Sequence, residues 1–242
     1  MKIQKLIRFY SLFVFIFMSF RLPAAQNNLI NQADSLFEQK QFTESFELYH
    51  QIYHEQQMAS PQMLLKMAFI KEGLNDHMLA LYYLIKYYQL TYDEDVLQKI
   101  ASLAEENELY GYEYDDFTFF MNFYQKYRSI IIYLFLFLSL VFLIITLLVK
   151  VYRKRLSINL LILCMVMLVG YAITLNVDPQ GNYLIVEKRN SPLMSGPSSA
   201  SNVYSFLEKG HRLEISGQKD NWFKVHWNNR DLFIKKENVI RL

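Results

Sequence analysis

The chain has 242 residues, 52% hydrophobic and 16% aromatic, with a formal net charge of +2. A lone cysteine, Cys164, excludes an intramolecular disulfide framework, and no cysteine follows the N-terminal apolar segment as a lipoprotein signal requires. The small net charge conceals an acidic segment, residues 26–128 with 16 acidic and 7 basic side chains, and a basic one, residues 176–242 with 7 acidic and 10 basic; an acidic larger module argues against nucleic acid as a partner.

Residues 1–25 have the layout of a secretory signal peptide. Lys2, Lys5 and Arg8 form a basic n-region, Phe9–Phe20 an apolar core, and Ala24 and Ala25 supply small residues after Pro23. Arg21 and the bulk of Leu22 leave an uncleaved anchor as the alternative. Either form sends residue 26 onward across the membrane.

Residues 26–128 read as an all-α module. Ala33, Leu36, Phe37, Phe42, Phe46, Tyr49 and Ile52 follow a helical period, and Lys40-Gln41 falls where a turn divides two helices. A second pair, "LLKMAFIKEGLNDHMLALYYLIKYY", turns at Gly73 and Asn75 and carries small packing residues Ala68 and Ala80. Ala33 to Ala68 and Ser45 to Ala80 are both 35 residues apart. The first pair resembles a tetratricopeptide repeat at Ala33, Phe42, Ser45 and Tyr49, the second at Ala68 and Ala80. His77 stands where a large aromatic is usual, and neither pair ends in the common proline. A third helix begins near Asp93, whose acidic neighbours suit a helix N-terminus. The closing helix, "DDFTFFMNFYQKYR", runs directly into the first apolar span. The resemblance implies a tetratricopeptide-like helical array with a partner-binding concave face, on which Tyr49 and Tyr83 are the candidate contacts.

Two apolar spans follow, residues 129–149 and 156–175. Ile130–Val149 holds 20 uncharged residues, about 30 Å as a helix, which matches a bilayer core. The loop between them, residues 150–155 or "KVYRKR", carries Lys150, Arg153, Lys154 and Arg155 and no acid. Under the positive-inside rule these four side chains fix the topology and hold the loop in the cytoplasm. A two-helix transmembrane hairpin then leaves both flanking domains outside, as the signal segment independently requires.

Residues 176–242 change to short alternating runs. "NYLIVEK" reads as a strand and "SPLMSGPSSASN" as a loop; "VYSFLEKG", "HRLEISGQ", "DNWFKVHW" and "RDLFIKKENVIRL" read as further strands. The stretches Pro192–Ser199, Leu207–Ile215, Asn221–Val225 and Leu232–Val239 resemble a bacterial SH3 (SH3b) domain, which implies a small all-β SH3b-like barrel. The usual Asn-Val-Arg before the first loop is "EKRNSP", and the usual Gly-Trp near the end is "LF". Trp222 is then a packing residue; Tyr204, Phe206 and Trp227 are the candidate contacts for a partner.

No catalytic set stands out. His50 and His54 lie four apart beside Glu47 without a third suitably spaced ligand, so no metal site is assigned. There is no H-E-x-x-H, G-x-S-x-G, P-loop or dinucleotide-binding glycine pattern. The one thiol lies in a lipid span, where a reactive thiolate is disfavoured. The acids at Asp93–Asp95 and Asp115-Asp116 fit helix starts better than calcium loops. The sequence thus points to a non-enzymatic protein without a cofactor.

The order signal segment, tetratricopeptide-like helices, two spans and SH3b domain resembles the BatE-like branch of the bacterial Bat (aerotolerance) proteins. That resemblance implies a scaffold or assembly subunit in the inner (cytoplasmic) membrane of a bacterium, with both domains periplasmic. It implies protein partners among Bat-type membrane proteins bearing von Willebrand factor A domains. The alternative is a tether or sensor whose SH3b domain binds cell-wall polymer. Membrane lipid is a further partner and nucleic acid is not. The opposite charges of the two extracytoplasmic modules favour their docking.

Overall fold

The computed structural model of the chain describes residues 26–55, 57–113, 116–154, 158–176 and 183–242. Residues 1–25, expected to form a signal segment, and Arg155 of the basic loop lie outside the described residues. The chain divides after Ile70 into two compact units, and the division falls inside the third helix.

The first unit holds α1 (Gln26–Glu38), α2 (Phe42–Glu55) and most of α3 (Pro61–Gly73). Lys40 takes a left-handed conformation, φ 61°, and the amide of Gln41 bonds back to the Leu36 carbonyl at 2.9 Å, closing α1 where the sequence places a turn. Ala33 and Ser45 are fully buried, and the Ser45 hydroxyl donates to the Ala33 carbonyl at 2.8 Å. Two small residues let the helix backbones approach that closely. Phe37, Phe42 and Phe69 pack edge to face, with centroids 5.4–5.9 Å apart, and join α3 to the pair.

The second unit begins at the end of α3. Asn75, φ 58°, makes the turn, and the Asp76 side chain caps α4 (His77–Thr91). Asp93 caps α5 (Glu94–Glu106) through the Asp95 amide at 3.2 Å. A single helix, α6 (Asp116–Arg153), then joins the aromatic segment to the first span without a break. It continues through Lys150 to Arg153 before Lys154 turns at φ 49°, so the expected six-residue loop is largely the last turn of α6. Uninterrupted apolar sequence gives that helix no reason to stop at Val149.

The second span is α7 (Ile158–Asn176). Both α6, over Phe120–Tyr152, and α7 are long and apolar enough to cross a membrane. They run antiparallel: Arg128 bonds the Thr174 and Leu175 carbonyls at 3.3 and 3.1 Å, Gly170 lies against Phe135, and Cys164 reaches the Ser139 carbonyl at 3.5 Å. Polar side chains turn inward. Ser139, Thr146 and Thr174 are buried, with hydroxyls returned to carbonyls of their own helix, while Leu134, Phe137, Leu140, Ile144 and Leu147 face outward. A water-soluble core helix has the reverse arrangement; lipid-facing helices have this one.

Seven strands complete the unit: β1 (Tyr183–Val186), β2 (Ser191–Met194), β3 (Val203–Leu207), β4 (Arg212–Lys219), β5 (Trp222–Trp227), β6 (Arg230–Lys235) and β7 (Val239–Arg241). They form one antiparallel sheet in the order β3-β2-β6-β5-β4-β1-β7. The sheet is open, with β3 and β7 as its edges, where a barrel was expected. Leu184, Leu193, Leu207, Leu213, Val225, Ile234 and Val239 bring every strand into one apolar cluster. Trp222 is buried, as a packing residue should be.

Two strand expectations need correction. The segment read as a loop contains β2, because Leu193 and Met194 are buried; Pro192 is tolerated since β2 meets β6 only at Met194↔Phe233 and no ladder partner is needed beside the ring. The last expected strand is two, β6 and β7, separated by a short 3₁₀ turn at Lys236–Asn238. The β5–β6 hairpin uses Asn228 and Asn229, φ 48° and 58°, the left-handed pair that a tight two-residue hairpin requires.

Candidate functional site

The candidate partner-binding residues fall in different environments. Tyr49 is fully buried; its hydroxyl donates to Asp34, which also pairs with Lys66 at 2.6 Å. Burial pushes the Asp34 carboxyl up, but the hydrogen bonds from Lys66 and Tyr49 outweigh it and hold the group below the usual carboxylate range. Burial and the adjacent carboxylate push the Tyr49 phenol up. One carboxylate thus ties α1, α2 and α3. Tyr83 is 1% exposed in α4. Both tyrosines are packing residues here and present no surface to a partner.

Tyr204 and Phe206 are different. They stand on β3, 40% and 63% exposed, beside Val203 at 48%. β3 is an edge strand, paired among the described strands with β2 alone, and a register shift interrupts that pairing between Leu193 and Met194. The Arg230 guanidinium lies 5.1 Å from the Tyr204 ring centre. The Ser205 hydroxyl, from the residue between them in sequence, is buried without a partner. Exposed apolar side chains on an unpaired strand edge form a surface to which an extended segment of another chain can add.

Trp227 is half-buried against Tyr110 and His211, with ring centres 6.2 and 5.8 Å away. Tyr110 belongs to a short strap, Leu109–Tyr112, between α5 and α6. The strap lies along the β3–β4 corner. The Arg212 amide donates to the Tyr110 carbonyl at 3.0 Å, the Tyr110 amide to His211 Nδ1 at 3.1 Å, and the Tyr112 hydroxyl to the Gly210 carbonyl at 2.7 Å. Gly111, φ 92°, sits so close that a Cβ there would lie 2.2 Å from the Arg212 carbonyl oxygen. Lys209 pairs with Asp76 at 2.8 Å beside this contact. The helical segment and the sheet therefore do meet, through backbone and rings more than through charge. This strap leaves one signal in the sequence, a glycine between two tyrosines, "YGY".

Of the topology residues, Lys150 and Lys154 are exposed, and Arg153 ends α6. His50 and His54 stack with ring centres 4.2 Å apart, and among the described residues no group of three or more His, Cys, Asp or Glu side chains could hold a metal. No protein-family model matches this chain, and no curated protein matches it.

Proposed function

We propose that this protein is a non-enzymatic, membrane-anchored scaffold of the bacterial cell envelope, allied to the BatE-like proteins. In this reading the α6–α7 hairpin anchors the chain, the basic end of α6 faces the cytoplasm, and the helices and sheet work in the periplasm. The sheet takes a partner protein at its β3 edge, with Bat-type membrane proteins bearing von Willebrand factor A domains as the partners that the resemblance suggests.

The observation that carries the reading is the unpaired β3 edge with Val203, Tyr204 and Phe206 exposed on it. Natural sheets usually blunt such edges with charge, proline or a cover, so an apolar one marks an interaction site. The excess of basic side chains in the same module favours a second reading, contact with anionic wall polymer. Cross-linking the full-length chain in native membranes and recovering it separates the two. The scaffold reading expects protein partners that Phe206→Asp reduces at least tenfold at unchanged membrane abundance. Recovery of the same proteins by both forms, or of wall polymer alone, refutes it.

A further inference from the structure

We propose that His211 is the acid-sensitive catch of a latch, holding the strap Leu109–Tyr112 against the β3–β4 corner while its Nδ1 is unprotonated and releasing it on protonation. This goes beyond the scaffold reading and stands on different residues.

The bonding pattern fixes the protonation state of the closed form. A backbone N–H can only donate. The Tyr110 amide points at His211 Nδ1 from 3.1 Å, so that nitrogen must offer a lone pair. The same residue's carbonyl is held by the Arg212 amide at 3.0 Å. Both backbone groups of Tyr110 are thereby bound to two consecutive residues at the β3–β4 corner. Adding a proton to Nδ1 sets one donor against another and removes the first of these bonds.

The surroundings give that proton little other accommodation. His211 is 8% exposed and packs in a three-ring cluster with Tyr110 and Trp227, at 5.4 and 5.8 Å. Burial lowers its pKa, and the nearby Glu208 carboxylate opposes that in part. The remaining charges nearby are largely engaged. Lys209 pairs with Asp76, the Arg212 guanidinium stacks 3.8 Å from the centre of Tyr183, and His226, next to Trp227 on β5, lies 3.4 Å from Asp231. Glu108 and Glu113 flank the strap in sequence. None of these supplies the lone pair that the Tyr110 amide loses.

The sign follows from linkage. The closed form has the lower histidine pKa, so closure is strongest where both forms are neutral and weakens as pH falls below the ordinary histidine value of about 6.5. At pH 5 an ordinary histidine favours its protonated form about 30-fold, which sets the largest shift towards the open latch. The two amides are their own reporters. Hydrogen exchange of Tyr110 and Arg212 is measured on the full chain in lipid nanodiscs at pH 7.5 and 5.0 and corrected for intrinsic exchange chemistry.

The latch predicts a protection loss between threefold and 30-fold in the wild type. It predicts none in His211→Asn, whose amide oxygen replaces Nδ1 without titrating, and an undiminished loss in His226→Asn and His77→Asn. A wild-type loss below threefold overturns it, as does a loss that persists in His211→Asn or vanishes in either control. If His211→Asn is open at both pH values, the wild-type loss must track the NMR titration of the His211 ring, and a midpoint elsewhere overturns the latch.

Discussion

Gly111→Ala should open the strap. The glycine has φ 92°, outside the range an L side chain adopts readily, and an added Cβ would lie 2.2 Å from the Arg212 carbonyl oxygen. That oxygen is backbone and cannot rotate away, so the strap must retreat by about 1 Å to reach ordinary van der Waals contact. A retreat of that size stretches the 3.0 and 3.1 Å bonds of Tyr110 beyond hydrogen-bonding range. Two lost bonds at about 1 kcal/mol each, with about 1 kcal/mol for the backbone conformation, give about 3 kcal/mol. This corresponds to roughly a hundredfold loss of protection at the Tyr110 and Arg212 amides, limited by the closing energy of the strap itself. Gly73→Ala is the control, since nothing lies within 4 Å of its added Cβ. It should leave the strap unchanged and stabilise α3 by up to about 1 kcal/mol. Protection in Gly111→Ala within threefold of wild type would refute the close packing from which the estimate is built.

Tyr49→Phe removes the phenol that helps hold Asp34 and should destabilise the α1–α3 packing by about 1–2 kcal/mol in urea unfolding followed by exchange of that region. The Asp34 carboxyl is held below its ordinary value by Lys66 and Tyr49. Its contribution is therefore complete above about pH 4 and lost as pH falls through the folded pKa; Asp34→Asn should abolish this acid-dependent part of the unfolding curve. Ile234→Ala, at a fully buried site in the sheet, should cost about 2–5 kcal/mol, whereas Phe206→Ala on the exposed edge should change sheet stability by less than about 0.5 kcal/mol in the same experiment. Arg128→Ala frees the Thr174 and Leu175 carbonyls at the end of α7 and should lower the thermal stability of the hairpin in detergent by about 1 kcal/mol.

The elements that could be read from sequence are those whose signal is local. Ala33 and Ser45 at helical spacing, Lys40 and Asn75 between periodic runs, and Asp93 before a helix each carry their own cause, and the structure places close helix packing, turns and a cap there. The two spans were legible for the same reason, since a bilayer imposes one length and one composition. What escaped depends on residues far apart in the chain. Ser191–Met194 lacks an alternating pattern and becomes a strand because β3 and β6 lie on either side of it. Tyr49 and Tyr83 look like aromatic contacts in sequence, but both are buried; nothing within either helix distinguishes that outcome. Tyr204 and Phe206 were recognisable as aromatic strand residues. Their exposure follows from β3 being an edge, which is a property of strand order. The contact of Tyr110 with His211 joins positions 101 residues apart and left no periodic trace.

The connectivity explains why so slight a contact can close. α6 and α7 are antiparallel, and Arg128, about 18 Å along α6 from Asp116, holds the last carbonyls of α7. The strap ends just before α6 and the sheet begins just after α7. From Asn176 to Tyr183 the chain can reach at most about 25 Å. The hairpin thus returns the sheet to the strap however the contact itself fares, and closing is an intramolecular step with little search left to do. Under that constraint two hydrogen bonds of the Tyr110 backbone, one phenol, three rings and the Lys209–Asp76 pair suffice. A contact of this size is also the kind that one proton can reverse, where the shift available from a single histidine is comparable with the closing energy. A large apolar interface at the same place would be indifferent to His211. The small, polar and glycine-dependent form of this contact is what would make it responsive.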